Sequence, residues 1–138
     1  MPKIELPNKK SLTLAAAKEI AAAAEAEAIR NSWRVVIAIA DDGGNLIYLQ
    51  RMDETQFGSV QVAIEKARTA VAFKRPSKAF ADLVADKQSQ YMSLPVVALE
   101  GGVPLVADGV IIGSIGVSGV KSHQDGQIAK AGAELLAP

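Results

Sequence analysis

The spacing of apolar positions changes several times along the chain, and each change predicts an element. Alanine dominates from Thr13 to Asn31, with Leu14, Ile20 and Ile29 set among Lys18, Glu19, Glu25, Glu27 and Arg30. Alanine has the highest helix propensity, so this stretch predicts a first helix whose small side chains let a sheet approach closely. Trp33 to Ile39 is β-branched and nearly continuous, and Leu46 to Leu49 repeats that character beyond Asp41-Asp42-Gly43-Gly44-Asn45. Two such runs around a glycine-rich polar turn predict a hairpin. Val60, Ala63, Ile64, Ala67 and Val71 return to helical spacing between Ser59 and Phe73. Pro76 then breaks the chain, and Phe80, Leu83 and Val84 mark a short third helix.

Leu94 to Leu99 is apolar enough to predict a strand, and Val103–Ala107 and Val110–Val117 flank Asp108-Gly109, a strong hairpin signal. A last helix opens at Ser122, where Ser122 and Asp125 fit a capping box and Ile128, Ala129 and Leu135 follow. The order is α-ββ-αα-βββ-α. No crossover helix separates the strands within each block, so the fold is α+β: one five-stranded, mainly antiparallel sheet with flanking helices.

Length and composition narrow the classes. The 138 residues are read as one domain, 1–138, with no repeat or low-complexity linker. Fifteen basic and fifteen acidic side chains cancel, which disfavours nucleic acid as a partner. Cysteine is absent, so disulfides, thiolate metal sites and a cysteine nucleophile are excluded. No apolar run approaches the ~18 residues of a membrane span, and Met1 to Lys10 lacks a signal-peptide core, so the expected address is cytoplasmic.

Three blocks carry a resemblance. Ile39 to Asp53 (IADDGGNLIYLQRMD), Lys66 to Ser77 (KARTAVAFKRPS) and Gly101 to Gly119 (GGVPLVADGVIIGSIGVSG), the last followed by Gln124-Asp125 and Ala131-Gly132, stand in this order over nearly the whole chain. Together they resemble the GlcG/HbpS haem-degrading family, related to the C-terminal domain of PduO-type cobalamin adenosyltransferases. The resemblance implies a profilin-like α/β sandwich, homo-oligomers, and haem or another tetrapyrrole as ligand. Many relatives carry a histidine in the hairpin where this chain has Asn45, and asparagine is a poor iron ligand. Asn45 at that hairpin position, and Lys66, Thr69, Phe73 and Arg75 in the matched central block, are candidate ligand-binding residues, whereas Pro76 is assigned to structure.

The residues themselves offer few chemical groups. His123 is the sole histidine: a candidate haem-iron ligand or general base, or an exposed residue on the first helical turn. Asp125 could orient it or could simply cap the helix. Gly116 to Ser122 leads from a strand into a helix N-terminus and could seat a carboxylate, phosphate or propionate. Lys66, Arg68, Lys74 and Arg75 give the central helix a basic character, read first as a solvated face with Glu65 partnering Arg68. Gly101-Gly102 permits either a bulge or the close approach of a ligand or neighbouring chain. One histidine with no serine partner supports no triad, and no His-rich metal site exists. Three readings follow: a haem- or tetrapyrrole-binding protein; a cofactor-independent enzyme or accessory acting on a small carboxylated metabolite, with Arg75 and Lys66 holding the anion and His123 or Asp42 moving protons; or a structural module that only builds an oligomer. The catalytic residues are unassigned.

Overall fold

A computed structural model describes all residues 1–138. The chain runs α1 (Leu14–Arg30), β1 (Val36–Asp41), β2 (Leu46–Arg51), α2 (Gly58–Phe73), α3 (Lys78–Ala85), a 3-10 turn (Ser89–Ser93), β3 (Gly102–Ala107), β4 (Val110–Ser118) and α4 (Ser122–Ala133). The strands form one sheet in the order β2-β1-β4-β3, antiparallel at every pairing. No helix is long and apolar enough to cross a membrane.

The α+β class therefore stands, with four strands rather than five. Leu94–Leu99 is a loop, although its composition reads as a strand. Pro95 lacks the N–H a ladder requires, and side chains satisfy neighbouring backbone groups instead. Val97 N–H donates to Thr69 Oγ1 (2.9 Å), and the Leu99 carbonyl accepts from Ser77 Oγ (2.6 Å).

β1 lies inside the sheet and divides the core by the alternation of its side chains. Ile37 and Ile39, with Ile115 and Val117 of β4, face α1 and α4 and meet Ile20, Ala17, Ala24 and Ile128. Val36 and Ala38 face α2 and meet Ala63. On this second face β4 presents Ser114, Gly116 and Ser118, paired across to Ala40, Ala38 and Val36. These small residues let the α2 backbone sit almost on the sheet. A Cβ on Gly116 would fall 2.0 Å from the Ala63 carbonyl oxygen, and Ser114 Oγ donates to the Ala67 carbonyl at 2.6 Å.

Local signals fix the ends of the elements. Thr13 Oγ1 accepts from Ala16 N–H at 3.1 Å and starts α1. Asp108 and Gly109 have φ of 52° and 75°, the left-handed pair that a two-residue hairpin turn needs. α4 opens at Ser122 as expected, but its cap is the residue before: the Lys121 N–H donates to Gln124 Oε1 at 3.1 Å. Ser122 and Asp125 do not form the capping box, which frees Asp125 for a different role.

Candidate functional site

α2 is the element that gathers the predicted residues. Ala63, Lys66, Ala67 and Ala70 recur at helical spacing and all are buried, so Lys66 lies on the sheet-facing stripe. It is not part of a solvated basic face. Its side chain runs beside Gly101 and its Nζ donates to the Val117 carbonyl (3.0 Å) and to Asp125 Oδ2 (3.0 Å). Lys66 and Asp125 are only 1% and 2% exposed, making this a buried ion pair that joins α2, β4 and α4.

Asp125 also accepts, through Oδ1, from Val120 N–H at 3.1 Å. The anion seat read from Gly116–Ser122 is thus filled by the chain's own carboxylate, and Asp125 pairs with Lys66 rather than orienting His123. Burial raises the Asp125 pKa above its ordinary 3.8, against the opposing pull of the Lys66 charge and the Val120 N–H. Desolvation outweighs attraction here, as expected for a charge taken from water.

Gly101 and Gly102 are shaped by the same lysine. A Cβ on Gly101 would lie 2.9 Å from Lys66 Nζ, and one on Gly102 would lie 2.1 Å from the Lys66 carbonyl oxygen. Gly101 also holds φ at 137°, outside the range of ordinary side chains. The close approach these glycines permit is therefore that of Lys66 and its helix. Thr69 and Ser77 complete this region. Ser77 Oγ donates to the Leu99 carbonyl and accepts from Gly102 N–H at 2.8 Å, so the 94–101 loop is strapped over α2.

The remaining candidates lie apart from this cluster. Phe73 and Phe80 stack edge to face with centroids 5.4 Å apart, and the Arg75 guanidinium sits 6.0 Å from the Phe80 ring. Arg75 Nε donates to the Phe73 carbonyl at 2.9 Å, so Arg75 closes the C-terminus of α2. Asn45 occupies the β1–β2 turn, where its backbone N–H donates to Asp41 Oδ1 at 2.9 Å and its amide leans on the same carboxylate. His123 is exposed on the first turn of α4. The Glu65–Arg68 pair anticipated on α2 is present at 3.2 Å. Sequence reasoning missed Ser77 and Ser114: the Ser114 hydroxyl ties β4 to α2, and the Ser77 hydroxyl ties the turn after α2 to the 94–101 loop and β3. Their signal was weak: small polar residues beside Pro76 and among the glycines of β4.

No cluster of His, Cys, Asp and Glu able to hold a metal ion is present. A cavity of about 530 Å³ forms a groove between α1 and α4, floored by Ala23, Ala26 and Ala131 and rimmed by Glu27, Arg30 and Lys130. Glu27 spans it, accepting from Gln127 Nε2 at 2.8 Å and from Arg30, which together hold its carboxyl below the usual value.

These features define a small antiparallel α/β sandwich whose central helix is locked to the sheet by glycines and one buried ion pair. The chain belongs to the family described as haem degrading protein HbpS-like, whose model matches residues 12–134. It is 45% identical to the protein GlcG of Escherichia coli K12 over 103 residues, covering 74% of this chain and 77% of GlcG. The crystal structure of HbpS superposes with a TM-score of 0.85 at 33% identity, covering 97% of this chain and 96% of that one. The structure of PduOC in complex with haem superposes with a TM-score of 0.82 at 29% identity, covering 92% and 96% of the two chains.

The residues fit a haem group in part. His123 is the one imidazole, solvent-accessible and without a hydrogen-bond partner of its own, so its ring nitrogens are free to bind iron. Lys66 is spent on Asp125, which leaves Arg75 as the candidate for a propionate. Asn45 supplies no iron ligand.

Proposed function

We propose that this chain binds haem or a related tetrapyrrole and serves in haem handling in the cytoplasm. The observation that carries this reading is membership of the HbpS-like family, together with close likeness over nearly its full length to a domain crystallised as a haem complex. Bound haem would supply iron-centred redox and ligand-exchange chemistry. The chain's own part is to bind and orient: His123 at the iron, Arg75 at a propionate, and the exposed Leu94 and Leu99 of the 94–101 loop against the face between them.

The principal cavities are shallow and range from about 250 to about 530 Å³. A planar ligand of tetrapyrrole size needs a second wall, so we place it against a second copy of the chain in a homo-oligomer. Titration with haemin, followed in the Soret region, tests this. A saturable, stoichiometric spectrum that His123→Ala weakens by about tenfold or more is the expected result. An unchanged spectrum in His123→Ala removes His123 from the iron, and no saturable shift in either protein overturns the reading.

A further inference from the structure

The turn end of the sheet holds two adjoining cavities that neither the buried ion pair nor the haem reading uses. One, about 390 Å³, has Lys9, Asp42 and Lys74 around an apolar floor of Val71, Val110 and Ile111. The other, about 400 Å³, shares Lys9 and Asp42, so the Lys9–Asp42 ion pair is the partition between them. Val110, the first residue of β4, leaves its apolar side chain exposed on the wall of the first cavity.

Lys74 is the unusual member. It ends α2 in the left-handed conformation, φ 55° and ψ 41°, with its N–H donating to the Ala70 carbonyl. Glycine is the default residue there, because a Cβ is strained at positive φ. A lysine could be kept for the negative end of the helix dipole. Arg75, one residue on, already meets that need through its bond to the Phe73 carbonyl. The Lys74 ammonium takes part in none of the seven ion pairs of the molecule and in no hydrogen bond. A backbone position that favours glycine therefore carries a spare cation beside an apolar-floored cavity of small-ligand size.

We propose that this cavity binds a small aliphatic carboxylate. Lys74 holds the carboxylate, Lys9 joins it by exchanging from Asp42, and Val71, Val110 and Ile111 take the hydrocarbon. Two lysines against one aspartate leave one positive charge at the site, which selects an anion over a neutral or cationic molecule of the same shape. This site is independent of tetrapyrrole binding and of His123.

Amide NMR titrations of the full chain with n-butyrate, n-butanol and n-butylammonium, without haemin, test the proposal. The expected result is a saturable set of shifts for butyrate alone, centred on Val71, Lys74, Gly109, Val110 and Ile111. Binding should weaken about tenfold or more in Lys74→Gly and Lys74→Gln and survive in Lys74→Arg. Lys74→Gly should melt no lower than the wild type, since glycine relieves the left-handed strain, so its loss of binding cannot be ascribed to misfolding. Equal shifts for all three probes, shifts scattered over the surface, equal binding in Lys74→Gly, or no saturable shift would each overturn the proposal. None of these results depends on haemin, whose binding is read separately in the Soret region.

Discussion

Lys66–Asp125 and Lys9–Asp42 bring the same two functional groups into contact at two regions of one sheet. The first pair has side chains 2% and 3% exposed, the second 56% and 41%. Burial reverses what the contact does to the acid. Asp125 is pushed above its ordinary pKa by desolvation, whereas Asp42 is held below it by the hydrogen bond and charge of Lys9. The buried pair thus gains little net stability from its attraction. What it confers is registry, because only one seating of α2 brings Lys66 to both the Val117 carbonyl and Asp125. The exposed pair is soft and exchangeable, which suits a cavity that must admit a ligand.

Breaking the buried pair on one side gives the largest expected effect. Lys66→Met leaves a carboxylate buried without a counter-charge, at a cost of about 3–5 kcal/mol in urea denaturation. Replacing both partners, as in Lys66→Met with Asp125→Leu, should recover most of that loss or exceed wild type by about 1–4 kcal/mol. A double variant as unstable as the single one would show that the pair contributes more than its own desolvation cost.

A second test asks whether the closeness of α2 to the sheet, rather than the ion pair, sets this end of the fold. Gly116→Ala places a Cβ 2.0 Å from the Ala63 carbonyl oxygen, backbone against backbone, with no flexible group to yield. It should destabilise by about 1–3 kcal/mol or more. Gly58→Ala, at the exposed start of the same helix with no atom within 4 Å, should stabilise by about 0.5–1 kcal/mol. Thermal melts of the two variants with opposite shifts would sharpen the contrast; equal small shifts would remove it.

The sequence made much of this fold legible, and the failures have specific causes. α1, α4 and the Asp108-Gly109 hairpin follow from alanine content, apolar spacing and turn chemistry, all of which are local. The 94–99 loop is unreadable from local pattern because its apolar run depends on Thr69 and Ser77, 28 and 22 residues away, to satisfy its backbone. Lys66 reads as a solvated or ligand-holding cation from its residue type, although it shares the stripe of Ala63, Ala67 and Ala70. Spacing carried that signal, and residue type overrode it, since lysine is almost never fully buried unless paired. Its partner Asp125 is 59 residues distant, beyond any local pattern. Lys74 showed nothing unusual in sequence, because a positive φ is a property of the folded chain end.

The smallest expected effect is also the one that separates the two regions most directly, because their acids titrate in opposite senses. Asp125 has its folded-state pKa raised above 3.8, so its protonated form favours the native state. Relative to Asp125→Asn, which cannot titrate, the wild type should gain stability as pH falls through the folded pKa and level off below 3.8. Asp42 has its folded-state pKa lowered below 3.8, so its contribution is present above that value and lost as pH falls through the folded pKa. Relative to Asp42→Asn, the wild type should therefore lose stability on acidification, and by little, since the pair is exposed and screened by salt. Melting temperatures of the three proteins between about pH 7 and about pH 3, at low and high salt, would show two difference curves of opposite slope. Only the Asp42 curve should flatten with added salt, and parallel curves would mean that Asp125 is stabilised by Lys66 more than burial costs it.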